Sequence, residues 1–319
     1  MSQNQFGRSA KLLVVRPEAL DGTPASIIDL SQTHFKFRTV QEDVESPNNC
    51  SIRVYNLSNA TVEAITKTEY SRVILQAGYE EAGVGKIFEG TIKWFRIGRE
   101  SATDKYLDIL AADGDLAYNF ATVNKTLAAG STPQQRVDAV IAEMAKKGTT
   151  AGETMTMTGG ILPRGKVLFG MARALLRQEV QAQGATWHIE SGRVHITPLT
   201  GYRPGEAVVL SALTGLVGLP EQTNEGLHAK CLLNPRVLVG GLVQIDNKTI
   251  NQMLQQNPNA APVAFNSYTG LQLLATVAAD GLYRVFVAEH EGDTRGAAWH
   301  THLTCLAVNP STKQVKAYG

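Results

Sequence analysis

Residues 214–246, TGLVGLPEQTNEGLHAKCLLNPRVLVGGLVQID, constrain this chain more than any other stretch. Leu227, Ala229, Cys231 and Leu233 alternate with His228, Lys230 and Leu232, the two-residue period of a strand with one face on a core. Asn234-Pro235 ends that run, because proline has no N–H to give a ladder and restricts the residue before it. Gly240-Gly241 permits positive φ before the extended pattern resumes over 242–245. These are scaffold residues, and a chain organised around them is expected to be mainly β.

The N-terminal third has the same grammar. Strand patterns fall at 11–15, 27–30, 34–38, 50–56 and 71–77, with a hairpin of 86–97 and 105–111 around a charged loop. Ser58 can cap one short helix over 60–67. The pattern changes at Asp113. Ser131-Thr132-Pro133 starts a helix, Val137, Val140, Ile141 and Met144 form its buried stripe, and Lys146-Lys147-Gly148 closes it. A second helix is expected over 166–183. A hairpin of 187–189 and 194–196 then turns at Ser191-Gly192. Residues 247–266, rich in Asn, Gln, Pro and Ala, suit an exposed excursion, and 271–278, 283–290 and 299–308 return to strand. The expected fold class is α+β, mainly β. Residues 1–112 form a first barrel or rolled sheet and 113–200 an inserted α+β unit. Residues 201–319 form a second barrel with its excursion at 247–270.

Composition excludes several classes of function. Thirty basic against twenty-nine acidic residues leave a net charge of +1, so no global attraction to nucleic acid or membrane is expected. Cys50, Cys231 and Cys305 are too scattered for a disulfide framework and sit in apolar strand contexts. No run approaches the roughly twenty apolar residues of a membrane span, and the first fifteen residues lack the apolar core of a signal peptide. Synthesis in a reducing cytoplasm is expected. At 18% charged the chain falls below the usual quarter, as expected when some surface is covered by a partner.

The run GLPEQTNEGLHAKCLLNP followed by GGLVQIDN resembles the baseplate hub proteins of tailed phages, a family that includes phage late control protein D and the hub half of the type VI secretion spike protein. IRVYNLS, VILQAGYE, GKIFEGTI, Asp113-Gly114-Asp115 and VNKTLAAGST look like the first half of such hubs, and YRVFVAEHEGDTRGAAWHTHLTC like their closing strands. The resemblance implies two similar antiparallel tube-like barrels with an α+β unit between them. It also implies a homotrimeric ring that joins the tail tube to the central spike and adapts six-fold to three-fold symmetry. The implied partners are itself, the spike, a tube or tube-initiator protein and other baseplate proteins. DNA would pass only in transit through the bore, and the location would be the virion tail. Two separate barrels that superpose, with the helices outside the ring, are expected; one continuous sheet through both blocks, or these helices packed between them at the centre, would sink the hub architecture.

Each candidate for chemistry has a plainer reading. Gly160-Ile-Leu-Pro-Arg-Gly165-Lys166 fits the GxxxxGK spacing of a phosphate loop ahead of a helix, but Val167 replaces the magnesium-binding hydroxyl and Pro163 removes a cradle amide. His290, Glu291, Asp293, His300 and His302 collect metal-ligand types, yet Thr294 stands where HExxH needs its second histidine. Asp113 and Asp115 could mimic a carboxylate pair, but they follow a strand end, where turn and capping roles prevail. There is no GxSxG elbow. No catalytic, cofactor or metal residue is therefore expected, and the chain is read as a structural protein, not an enzyme. The alternatives are a tail-associated cell-wall hydrolase, which would turn over its substrate, and a β-rich carbohydrate-binding module. That module would need exposed aromatics from Trp94, Trp187 and Trp299.

Overall fold

The computed structural model describes residues 5–18, 25–69, 71–223, 226–246 and 280–308, together with 250, 263–265, 272–274 and 278. The first block contains β1 (Arg8–Arg16), β2 (Ser26–Asp29), β3 (Phe35–Glu42), β4 (Asn49–Tyr55), α1 (Asn59–Thr66), β5 (Arg72–Tyr79), β6 (Gly83–Arg99) and β7 (Lys105–Ala112). The middle contains α2 (Asp115–Phe120), β8 (Thr122–Leu127), α3 (Pro133–Ala145), β9 (Thr150–Thr154), β10 (Lys166–Met171), α4 (Ala172–Gln181), β11 (Ala185–Glu190) and β12 (Arg193–Pro198). The last block contains β13 (Val208–Leu210), β14 (Glu221–Thr223), β15 (Gly226–Leu232), β16 (Leu242–Ile245), β17 (Val263–Phe265), β18 (Gln272–Leu274), β19 (Leu282–Asp293) and β20 (Trp299–Ala307). Most of the expected excursion at 247–270 lies outside the described residues.

Alternation decides which face each strand buries. In β3, Phe35, Phe37 and Thr39 are buried while Lys36 and Arg38 face outward. In β15, Leu227, Ala229 and Cys231 are buried, as is Leu233 just beyond it. β15 and β16 do not pair with each other. They flank the β19–β20 hairpin, β15 on β20 and β16 on β19.

Three hydrophobic cores result. The first centres on Phe35, Ile52, Leu75 and Leu107, the second on Val137, Leu176 and Trp187, and the third on Cys231, Val243 and Tyr283. The α3 stripe of Val137, Val140, Ile141 and Met144 packs in the second core with the α4 residues Leu176 and Val180 and the β11–β12 hairpin. Thr132 caps α3 in a complete capping box with Gln135, and Pro133 opens the helix. Ser191 and Gly192 both have positive φ, 53° and 72°, as a two-residue type I′ hairpin requires.

Two expectations are corrected. Apart from β17 and β18, which pair with each other, the described strands assigned to separate barrels form one sheet, antiparallel except for the parallel β13–β16 pair. Its path is β14-β15-β20-β19-β3-β4-β7-β6-β5-β1-β2, with β16 attached at β19 and β13 on β16. The join is β19. Its first residues pair with β16, its register shifts between Val285 and Val287, and residues 287–293 then pair with β3. A bulge re-aims a strand in this way, and here it lets one strand serve both blocks. The second correction concerns 166–183. Residues Lys166–Met171 are a strand paired with β8, and helix begins only at Ala172. Leu168 points into the core, while Val167 and Phe169 point out.

Candidate functional site

Lys166 sits on a strand, so the GxxxxGK loop does not lead into a helix whose amides could cradle phosphate. Its ammonium pairs with buried Glu179, which also accepts from Arg136 Nε at 2.7 Å. Burial alone would raise the Glu179 carboxyl, but the hydrogen bonds from these two cations outweigh it and hold the group below its usual value. This is an internal ion cluster of the α3–α4 pair.

Asp113 and Asp115 do not converge. Asp113 Oδ1 accepts from the Gly192 amide at 2.8 Å, and burial pushes its carboxyl up to about 7 against the pull of the amides of Gly192 and Ser191. Asp115 instead accepts from Asn119 and pairs with Lys93. Gly114 between them has φ +64°, and a Cβ there would lie 2.7 Å from Ile189.

The histidines also part company. His290 is buried, its Nδ1 2.9 Å from Thr301 Oγ1, while His300 and His302 lie on the outer face with His302 Nε2 3.8 Å from Glu291. Among the described residues no group of three His, Cys, Asp or Glu side chains is arranged to hold a metal. All three cysteines are free and buried, and burial pushes the Cys231 thiol up to about 12.

The densest polar chemistry lies at the joint of the three cores. The β3–β4 connection carries Asp43, Glu45 and Asn48 into the second unit. Asp43 accepts from His188 Nδ1 of β11 at 3.0 Å and forms an ion pair with Arg284 of β19. The second amino group of Arg284 donates to the carbonyls of Pro198, Gly201 and Leu199 at 2.7, 3.0 and 3.2 Å. Glu45 pairs with Arg177 of α4, and Asn48 Nδ2 donates to the Ile189 carbonyl at 2.8 Å. Arg203 binds Glu190 and Glu153. His188 stacks on His195 at 5.4 Å, and burial lowers His188 to about 4. Such a network fixes the relative placement of the units. Sequence reading missed it. Its signal was a charged or imidazole residue inside an apolar strand: Arg284 between Tyr283 and Val285, and His188 between Trp187 and Ile189.

The seam between β3 and β19 is the second feature. On its outer face Arg38 binds Glu289 through two nitrogens, at 2.6 and 2.9 Å, and Arg53 binds Asp108 likewise at 2.7 and 3.1 Å. Arg96 shares Asp108 at 2.7 Å, and Arg53 lies over the Tyr106 ring at 4.0 Å. An open groove of 550 Å³ follows this ladder. Its charges are already paired with one another, so it makes a polar, weakly adhesive surface, unlike a phosphate-binding patch.

No protein-family model and no curated protein matches the sequence. Solved structures do match the fold. The 43 kDa tail protein of prophage MuSo2 from Shewanella oneidensis aligns over 94% of this chain and 97% of its own, with TM-score 0.57 and 9% identity. A tail protein from Neisseria meningitidis MC58 aligns over 94% and 97%, with TM-score 0.56 and 8% identity. An E. coli component of the type VI secretion system, itself similar in structure to the bacteriophage T4 tail proteins gp27 and gp5, aligns over 90% and 76%, with TM-score 0.53 and 10% identity. The fold of this chain is thus shared with phage tail proteins and a type VI secretion component.

Proposed function

We propose that the chain is a structural baseplate hub of a phage contractile tail. In this reading three copies close a ring, with the tube above and the central spike below, and the bore passes DNA. Residues 1–112 and 201–319 are the two tube-like lobes, and 113–200 is the unit outside the ring. The two lobes of each copy would present six-fold character to the tube and three-fold character to the spike. The observation that carries the reading is the alignment of nearly the whole chain with a tail protein over nearly that protein's whole length. The continuous sheet meets the condition set against the two-barrel hub architecture expected from the sequence, so the reading rests on that alignment alone and takes the lobes as fused at the β3–β19 seam into one arc of the ring. The other partners proposed are a tube or tube-initiator protein and further baseplate proteins, with the virion tail as location. No helix among the described residues is long and apolar enough to cross a membrane.

Two observations weigh against the alternatives. The polar clusters are buried or internally paired, which favours a scaffold over a hydrolase. Trp187 and Trp299 are fully buried, leaving Trp94 as the exposed tryptophan, which is poor equipment for a carbohydrate module. The test is the mass of the purified protein, alone and with spike protein, read with a low-resolution image. A three-fold ring is expected; a dimer that persists with the spike present sinks the reading, as does turnover of cell-wall substrate.

A further inference from the structure

Of the five metal-ligand residue types gathered at 290–302 in the sequence, the fold removes two. His290 faces the core, and Asp293 is engaged by His34 and by the amides of Arg295 and Gly296. His300, His302 and Glu291 remain, on the outer face of the β19–β20 hairpin. The HExxH spacing that they fail is a rule for a helix, where positions four apart share a face; on a strand, positions two apart do. β20 buries Trp299, Thr301 and Leu303 and turns His300 and His302 outward together.

The register supplies a third donor. Glu291 of β19 lies directly opposite His300, and its carboxylate leans toward His302, with Oε2 3.8 Å from Nε2. It is thus within reach of both rings, whose centres are 6.4 Å apart. Glu289, opposite His302, is already taken, because Arg38 holds both of its oxygens. A tetrahedral ion with bonds of about 2.0–2.1 Å sets its donor atoms about 3.4 Å apart and two imidazole centres about 5 Å apart. The donors do not meet as they stand. Closing these short gaps is a matter of side-chain rotation, since the side chains of His302 and Glu291 are 40 and 46% exposed. Ligation at Nε2 places the His300 proton on Nδ1, so that ring gives up the contact its Nδ1 accepts from the Trp299 amide at 3.2 Å. Burial and the nearby Lys230 cation lower the pKa of His300, which keeps its imidazole neutral, the form that binds metal.

We propose that His300, His302 and Glu291 form a surface site for a divalent metal ion of the zinc type, with water completing the tetrahedron. Two imidazoles and one carboxylate suit zinc and cobalt and discriminate against magnesium and calcium. The site is independent of the ring reading. The test uses the untagged full chain, stripped of metal, titrated with Co²⁺ and followed by visible absorption. One ion per chain is expected, displaced by Zn²⁺ and unaffected by a large excess of Mg²⁺. Each of His300→Gln, His302→Gln and Glu291→Gln is expected to weaken binding at least tenfold, with far-ultraviolet dichroism checking that the fold is unchanged. Zn²⁺ should raise the melting temperature of the wild type and not of the three variants. A wild type with no saturable Co²⁺ binding, or binding that survives any one of the three substitutions unchanged, overturns the site and leaves the ring reading standing.

Discussion

Arg284 keeps a guanidinium at 6% exposure because Asp43 neutralises it on one side and three carbonyls accept from it on the other. Replacing it by methionine fills the volume but strands Asp43 with His188 and unpairs the carbonyls. Arg284→Met is expected to cost about 3–5 kcal/mol, the range for breaking a buried ion pair by removing one partner. Arg284→Lys should rescue little, since a single ammonium cannot span both partners. Urea unfolding at pH 7 measures this, and a loss below about 1 kcal/mol would remove the joint from the list of what holds the units together. The buried histidines give a pH signature. Burial lowers both His188 and His290 to about 4, below the unfolded value near 6.5. Between those values the unfolded chain binds more protons, so stability is full above about 6.5 and falls as pH drops toward 4. Asp113 opposes this, because burial raises it to about 7 and the folded chain then binds the extra proton as pH falls. His290→Gln should make the decline shallower by about 1.4 kcal/mol per pH unit, one proton's worth. Asp113→Asn should make it steeper. Equal slopes in wild type and His290→Gln would contradict the buried neutral imidazole.

Single elements were legible where local chemistry sets them. The α3 start, the Ser191-Gly192 turn and the alternation of β15 could all be read because cap, turn and period are properties of adjacent residues. β10 could not. Leu168, Met171 and Ala172 fit the period of a helix, and Leu168 is buried whether the backbone is helix or strand. What decides it is pairing with β8, from Lys166↔Leu127 to Met171↔Thr122, a contact with residues some forty positions away. The joint was illegible for the same reason, since Asp43, His188 and Arg284 meet only after three units fold. That placement changes what Lys166 should do. It shares buried Glu179 with Arg136, so Lys166→Ala is expected to cost about 1 kcal/mol, the lower end for depriving a buried carboxylate of one partner while another stays. Nucleotide binding should be absent before and after. Tight magnesium-dependent ATP binding by the wild type, followed by calorimetry, would reverse the assignment.

At the scale of the whole molecule the consequence lies in the seam. Alternation tells which face of a strand is buried, not which strand lies beside it, so two blocks of strands read as two barrels. In the fold β3 and β19 share seven register positions, and Trp299 of the last block meets Phe37 of the first edge to face at 5.6 Å. Leu233 and Trp299 belong to the first core, so that core is incomplete without the last block. Neither block can open without exposing apolar surface of the other and an unpaired strand edge. The two should therefore unfold as one cooperative unit. Native-state hydrogen exchange measures this amide by amide. Protected amides of β4 and β15 are expected to report the same opening free energy and the same denaturant dependence, that of global unfolding. Residues 1–112 expressed alone should be aggregated, with β3 as a bare edge. If the β15 amides instead exchanged through an opening several kcal/mol easier while β4 stayed protected, the last block would be an independent unit. The fused arc would then give way to two lobes that merely touch.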